Sequence, residues 1–215
     1  RNSRFRRMSV ENALLKNARK SLVMIAMLLG LSAGLLGQAS PGAGFNATVN
    51  AAHAEKFGQM LVQDNDGRIE PMNTLCADVL RKISRKSEFN GLKPEQVIIG
   101  MMADPAGWQN QPMIRASHPG IMELMGDHSK YHSLASFFRN NSYILSSYVE
   151  QAYQKKPAER SKFDNEIIRL DERVNISYMV FTGDLFRILP DPEDQSRTWY
   201  DHSGIQGRVH TGDSV

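Results

Sequence analysis

Cysteine is nearly absent from this chain. A single residue, Cys76, stands among 215, which excludes an intramolecular disulfide and any zinc-ribbon spacing. Set between Leu75 and Ala77, it reads as a small core residue rather than a reactive thiol. Also missing are a phosphate loop, a G-x-S-x-G elbow, an H-E-x-x-H zinc motif and a dinucleotide fingerprint. No C-x-x-C-H occurs, so the chain is not itself a c-type cytochrome. Catalytic residues are therefore not assigned. Tryptophan is scarce, with Trp108 and Trp199 far apart. Finally, no Asp, Glu, Lys or Arg occurs from Ser21 to Ala54.

What is present suits an ordinary globular domain, with 23% charged and 41% apolar residues. The net charge of +3 hides a split. Residues 1–20 carry seven basic side chains and one acid, a balance of +6, which leaves −3 on the remaining 195 residues. A nucleic-acid-binding domain concentrates its cations on the folded part. Here they sit in a leader, so nucleic acid is not an expected partner.

Lys16, Arg19 and Lys20 directly precede the apolar run at residues 22–36. Extended to residues 21–39, that run is long enough for one transmembrane helix. The positive-inside rule keeps its basic side in the cytoplasm and exports the chain beyond it. A cleavable signal peptide is the competing reading, with Met8 as start and Gly37-Gln38-Ala39 as the cleavage site. Both place the main domain outside the inner membrane, in the periplasm. The organisation expected is a basic leader over 1–20, the span over 21–39, a linker over 40–54, a helical domain over 55–190, and a polar loop over 191–215 that ends as if truncated.

The fold class expected is mainly α, with a small β-hairpin near the start of the domain. Residues 57–63 alternate as a short strand, Asp64 to Gly67 turn, and Arg68-Ile69 return. Asn73 or Thr74 can cap a helix running to about Lys86, whose cations Arg81, Lys82, Arg85 and Lys86 suit the helix dipole or an anionic partner. Pro94 opens another helix through residue 103. Trp108 reads as a turn residue, residues 111–116 as extended, and 119–125 as a short helix. Residues 132–139 and 143–155 are further helical candidates. From Pro157 the apolar residues recur at helical spacing to Ile188, giving about 30 residues of helix, or two helices kinked near Gly183. Glu159/Lys162 and Glu166/Arg169 are i,i+3 pairs on it. Asp164, Glu166, Asp171 and Glu172 read as a solvated face. Asp184 reads as a helix-buried acid partnered by Arg187. His128 and His132 stand four apart. On a helix they would share a face that can hold a metal or offer an axial ligand to haem, whereas Gly126 and Asp127 point to a loop. His118, before Pro119, reads as an extended or capping residue.

Four strings carry a resemblance: HAEKFGQMLVQDNDGRIEPMNTL at residues 53–75, LRKISRK at 80–86, LKPEQVIIGMM at 92–102 and KKPAERSKFDNEIIRLDERVNISYMVF at 155–181. They resemble the extracytoplasmic region of system II cytochrome c biogenesis proteins, and more narrowly the fused ResB/CcsA-type proteins of Bacteroidetes. The resemblance covers roughly residues 53–190. It implies a large polytopic membrane protein that exports haem and attaches it to apocytochrome c. The partners it implies are the remainder of that protein, apocytochrome c and haem. The family's Trp-rich haem segment has no match at Trp108 or Trp199, so no functional residue is carried over. The alternative reading is a self-contained exported binding or scaffold module without catalysis.

Overall fold

The computed structural model describes residues 49–64, 66–140, 142–191 and 198–201. The basic leader, the apolar segment at 21–39 and most of the linker lie outside the described residues, as does the chain after Asp201. Among the described residues no helix is long and apolar enough to cross a membrane.

Asn50 opens the first element. Its side chain accepts hydrogen bonds from the N–H groups of Ala52 and His53, a side-chain cap that starts α1 (Ala51–Gly58). The expected linker thus gives way to helix before residue 54. The expected strand over 57–63 is also shorter, because Phe57 and Gly58 close α1 and only β1 (Leu61–Gln63) is extended. β1 pairs antiparallel with β2 (Ile69–Pro71). Asp64 Oδ1 accepts from the N–H groups of Asp66 and Arg68, and Gly67 turns the chain at φ 79°, where a glycine meets no steric penalty. The hairpin stands where the sequence placed it.

α2 (Met72–Ser84) follows without a side-chain cap, one residue before Asn73. Pro71 fixes an extended entry instead. The helix ends at Arg85, in the left-handed region at φ 62°, and not at Lys86. Leu75, Cys76, Val79, Leu80 and Ile83 form its buried face, at the spacing an amphipathic helix requires. α3 (Pro94–Ala103) and α4 (Pro105–Trp108) each begin on a proline, at the position where a missing N–H is harmless. Trp108 therefore belongs to a single helical turn, and its indole is buried.

Short elements come next: β3 (Ile114–Arg115), α5 (Pro119–Met125), β4 (Tyr131–His132), a 3-10 turn at Ala135–Phe137, β5 (Phe138–Arg139) and β6 (Ser142–Tyr143). β3 pairs with β4, and β5 with β6. The helix expected over 132–139 does not form. Ser136 Oγ donates to the Ser133 carbonyl at 2.7 Å, and Ser133 Oγ accepts from the Ser136 N–H. Such local side-chain bonds compete with helix propagation. α6 (Ser146–Gln154) starts later than residue 143 because Tyr143 is held in β6.

α7 (Lys162–Thr182) is the longest element. It does not start at Pro157, which lies in a separate 3-10 turn at Pro157–Glu159. Ser161 Oγ accepts from the Asp164 N–H at 3.1 Å, while Asp164 Oδ2 accepts from the Ser161 N–H at 2.8 Å. That reciprocal pair is a capping box. The helix stops at Gly183, φ 78°, well before Pro190, so neither a 30-residue helix nor a kinked pair exists. α7 packs on α2, α3, α5 and α6, burying Ile167, Leu170, Val174 and Val180. Each aliphatic side chain so buried contributes about 1.5–3 kcal/mol.

Beyond Gly183 the chain returns to the hairpin. The Gln63 N–H donates to the Arg187 carbonyl at 2.9 Å. β7 (Leu189–Pro190) pairs with β8 (Trp199–Tyr200), and the Trp199 N–H donates to Gln63 Oε1 at 2.8 Å. The polar tail from residue 191 is thus not loop throughout.

Candidate functional site

The structure separates the two histidines that the sequence brings into register. α5 ends at Gly126, φ 70°. Asp127 Oδ1 then accepts from the N–H and the hydroxyl of Ser129, a local turn that leaves His128 exposed. His132 lies in β4, opposite Ile114. It is 4% exposed, its ring stands edge-on to Phe137, and its Nε2 has no hydrogen-bond partner among the described residues. The two do not share a helix face. Among the described residues, no group of three or more His, Cys, Asp or Glu side chains is arranged to hold a metal ion. His118 caps α5, its Nδ1 accepting from the Gly120 N–H at 3.2 Å. Cys76 is fully buried, and burial pushes its thiol up to about 12, so it is no nucleophile.

The concentrated chemistry lies on α7. Its acids are not a solvated face, because basic and hydroxyl side chains from elsewhere in the fold close over them. Lys155 Nζ, just past α6, donates to both Asp164 oxygens at 2.8 and 2.9 Å. Lys82 of α2 reaches Glu172 at 2.7 Å. Tyr143 of β6 donates its hydroxyl to Asp171 Oδ1 at 2.8 Å. Arg173, 4% exposed, donates from Nη1 to Glu166 at 3.1 Å and to the Arg115 carbonyl at 2.7 Å. Only the expected Glu166–Arg169 pair, at 3.2 Å, lies on the solvent side. Asp184 is not in the helix at all. It follows Gly183, and the Thr182 hydroxyl donates to it at 2.9 Å. These contacts pin α2, β3, β6 and the end of α6 to one helix. They form a rigid polar scaffold, not an acid–base pair converging on one point.

Two of these carboxyls titrate in opposite senses. Burial pushes Asp171 up to about 6, with the Tyr143 hydrogen bond pulling the other way and the Glu172 charge adding to the rise. Asp164 is held down at about 2, by the Lys155 ammonium first and then by Ser161. The unfolded value of each is about 4. For Asp171 the fold retains a proton that the unfolded chain releases between pH 4 and 6. Stability therefore falls as pH rises through that window. For Asp164 the contribution is present above pH 4 and lost as pH falls toward 2. We expect Asp171→Asn to raise the unfolding free energy by roughly 2 kcal/mol at pH 7 and by little at pH 4. Urea titrations at the two pH values check this, and a gain of equal size at both would remove the assignment.

No family model matches the chain. Over 145 residues it is 39% identical to Protein NrfI of Wolinella succinogenes. That overlap covers 66% of this chain and 16% of NrfI, so the chain spans a small part of its relative's length.

Proposed function

We propose that this chain is an extracytoplasmic part of a cytochrome c maturation protein of the fused ResB/CcsA type. Its task is to position apocytochrome c beside the haem-handling remainder of the same polytopic protein. The observation that carries this reading is the 39% identity with NrfI over 145 residues. It is consistent with a part in cytochrome c maturation, and it aligns this chain with a small portion of a much longer protein, as the family strings at residues 53–75, 80–86, 92–102 and 155–181 imply. The uncharged run behind Lys16, Arg19 and Lys20 supports a tether in the inner membrane with the domain on the periplasmic side. The ion network of α7 suits a positioning role, since it fixes the surface that a partner meets. The test is the yield of haem-stained cytochrome c in cells whose protein lacks this domain.

A second reading gives the domain a direct contact with haem as cargo, at His128 and His132. It is favoured by the exposure of His128 and by the unpartnered Nε2 of His132. Of the two, His128 is open to an incoming iron, and His132 needs the β3–β4 pair to loosen first. Haem titrated into the full chain then gives a Soret shift that His128→Ala removes. Absence of any shift rules this contact out and leaves the positioning role intact.

A further inference from the structure

Arg85, Arg115 and Arg173 come from three elements that meet: the end of α2, β3 and the middle of α7. Arg173 lies deepest, with its Nε buried and unpartnered among the described residues. Burial, together with the charges of Arg85 and Arg115, holds its guanidinium below the usual arginine range, and Glu166 opposes that effect. Arg173 also touches the β3 backbone directly, its Nη1 donating to the Arg115 carbonyl at 2.7 Å. Glu166 is the carboxylate that answers Arg173, and it is shared with Arg169. The side chains of Arg85 and Arg115 make no hydrogen bond or ion pair among the described residues. Arg85 is exposed and Arg115 half-buried. Lys86 lies beside them, its ammonium 4.4 Å from the centre of the Tyr131 ring, and Tyr131 pairs with Arg115 across β3 and β4.

The helix dipole of α2 accounts for cations in its last turn. It does not account for Arg115 and Arg173, which belong to other elements. Nor is the cluster a closed salt bridge, since Glu166 pairs with Arg169 and Arg173 and no carboxylate among the described residues pairs with Arg85 or Arg115. A buried cation without full compensation is costly. Guanidinium forks match the oxygens of carboxylates and phosphates, often two at a time.

We propose that Arg85 and Arg115, backed by Arg173, form a binding site for a small oxyanion, a carboxylate or a phosphate. The ligand bridges the two accessible guanidiniums and supplies the charge that Glu166 alone does not. The site is independent of the role in cytochrome c maturation, and its test uses neither haem nor cytochrome.

Titration calorimetry on the full chain in low-salt buffer is the test, with inorganic pyrophosphate and citrate as the two probes and sodium chloride at matched ionic strength as control. Saturable binding of pyrophosphate alone assigns a phosphate ligand, and of citrate alone a carboxylate ligand. Binding of both assigns a site selective for charge. Arg85→Gln and Arg115→Gln are each expected to weaken binding roughly tenfold. Lys162→Gln, exposed at the start of α7 and about three turns before Arg173, leaves it unchanged. The basic leader is common to every variant and cancels in these ratios. Circular dichroism confirms that the two variants keep the fold, and the two substituted side chains are not core. Equal affinity in wild type, Arg85→Gln and Arg115→Gln overturns the proposal. So does a heat signal that chloride reproduces.

Discussion

Replacing Trp108 by alanine is expected to lower the unfolding free energy by about 3–5 kcal/mol, the usual cost of emptying a large buried aromatic site. The indole is 2% exposed and lies against Gly100 of α3 and the ring of Phe89. A Cβ placed on Gly100 would stand 2.6 Å from Cζ2 and 2.7 Å from Nε1 of Trp108. Gly100→Ala should therefore cost about 1–3 kcal/mol by overpacking, although alanine outranks glycine in a helix by roughly 1 kcal/mol. The pair makes a sharper test than either change alone. In the Trp108→Ala background the collision is gone, and Gly100→Ala should become stabilising by up to about 1 kcal/mol. Chemical denaturation of the four proteins measures the cycle. A Gly100→Ala effect of the same sign in both backgrounds contradicts this packing.

Arg173→Ala should cost about 3–5 kcal/mol, as removal of one member of a buried charge pair does. It strips both the Arg115 carbonyl and Glu166 of a donor. Arg169 binds the other oxygen of the same carboxylate but is 59% exposed, so Arg169→Ala should change stability by no more than about 0.5 kcal/mol. Comparing the two by urea unfolding separates burial from charge. Equal losses would mean that the Arg173 contacts count no more than a surface ion pair.

The contrast between these arginines also marks what the sequence could tell. α3 and α5 were legible because Pro94 and Pro119 open them and apolar spacing fills them. The hairpin was legible because Asp64 and Gly67 carry turn chemistry of their own. The helix ends were less so. Arg85 takes a left-handed conformation without being glycine, and Ser133 and Ser136 break a run that otherwise alternates like a helix. Gly183 was visible as a kink, but its role as a full stop depends on a chain that turns back to pair with Gln63. Least legible was the polar face of α7. Its acids and the pair Glu166–Arg169 can be read along one helix. The partners that close over it, Lys82, Tyr143 and Lys155, come from other elements and from beyond α6. No local pattern announces them. The crowding of cations at residues 81–86 did leave room for an anionic partner, but nothing in it pointed to Arg115 or Arg173.

The proposed role in cytochrome c maturation is tested most directly in the cell. Holocytochrome c is measured by haem staining, and apocytochrome and this protein by immunoblot. The comparison is between the full-length protein and one lacking residues 49–201. Asp171→Asn serves as a folded control. With the shortened protein still present in the cells, holocytochrome is expected to fall by about tenfold, while apocytochrome persists and the Asp171→Asn cells match wild type. An unchanged yield of holocytochrome without the domain would contradict the account.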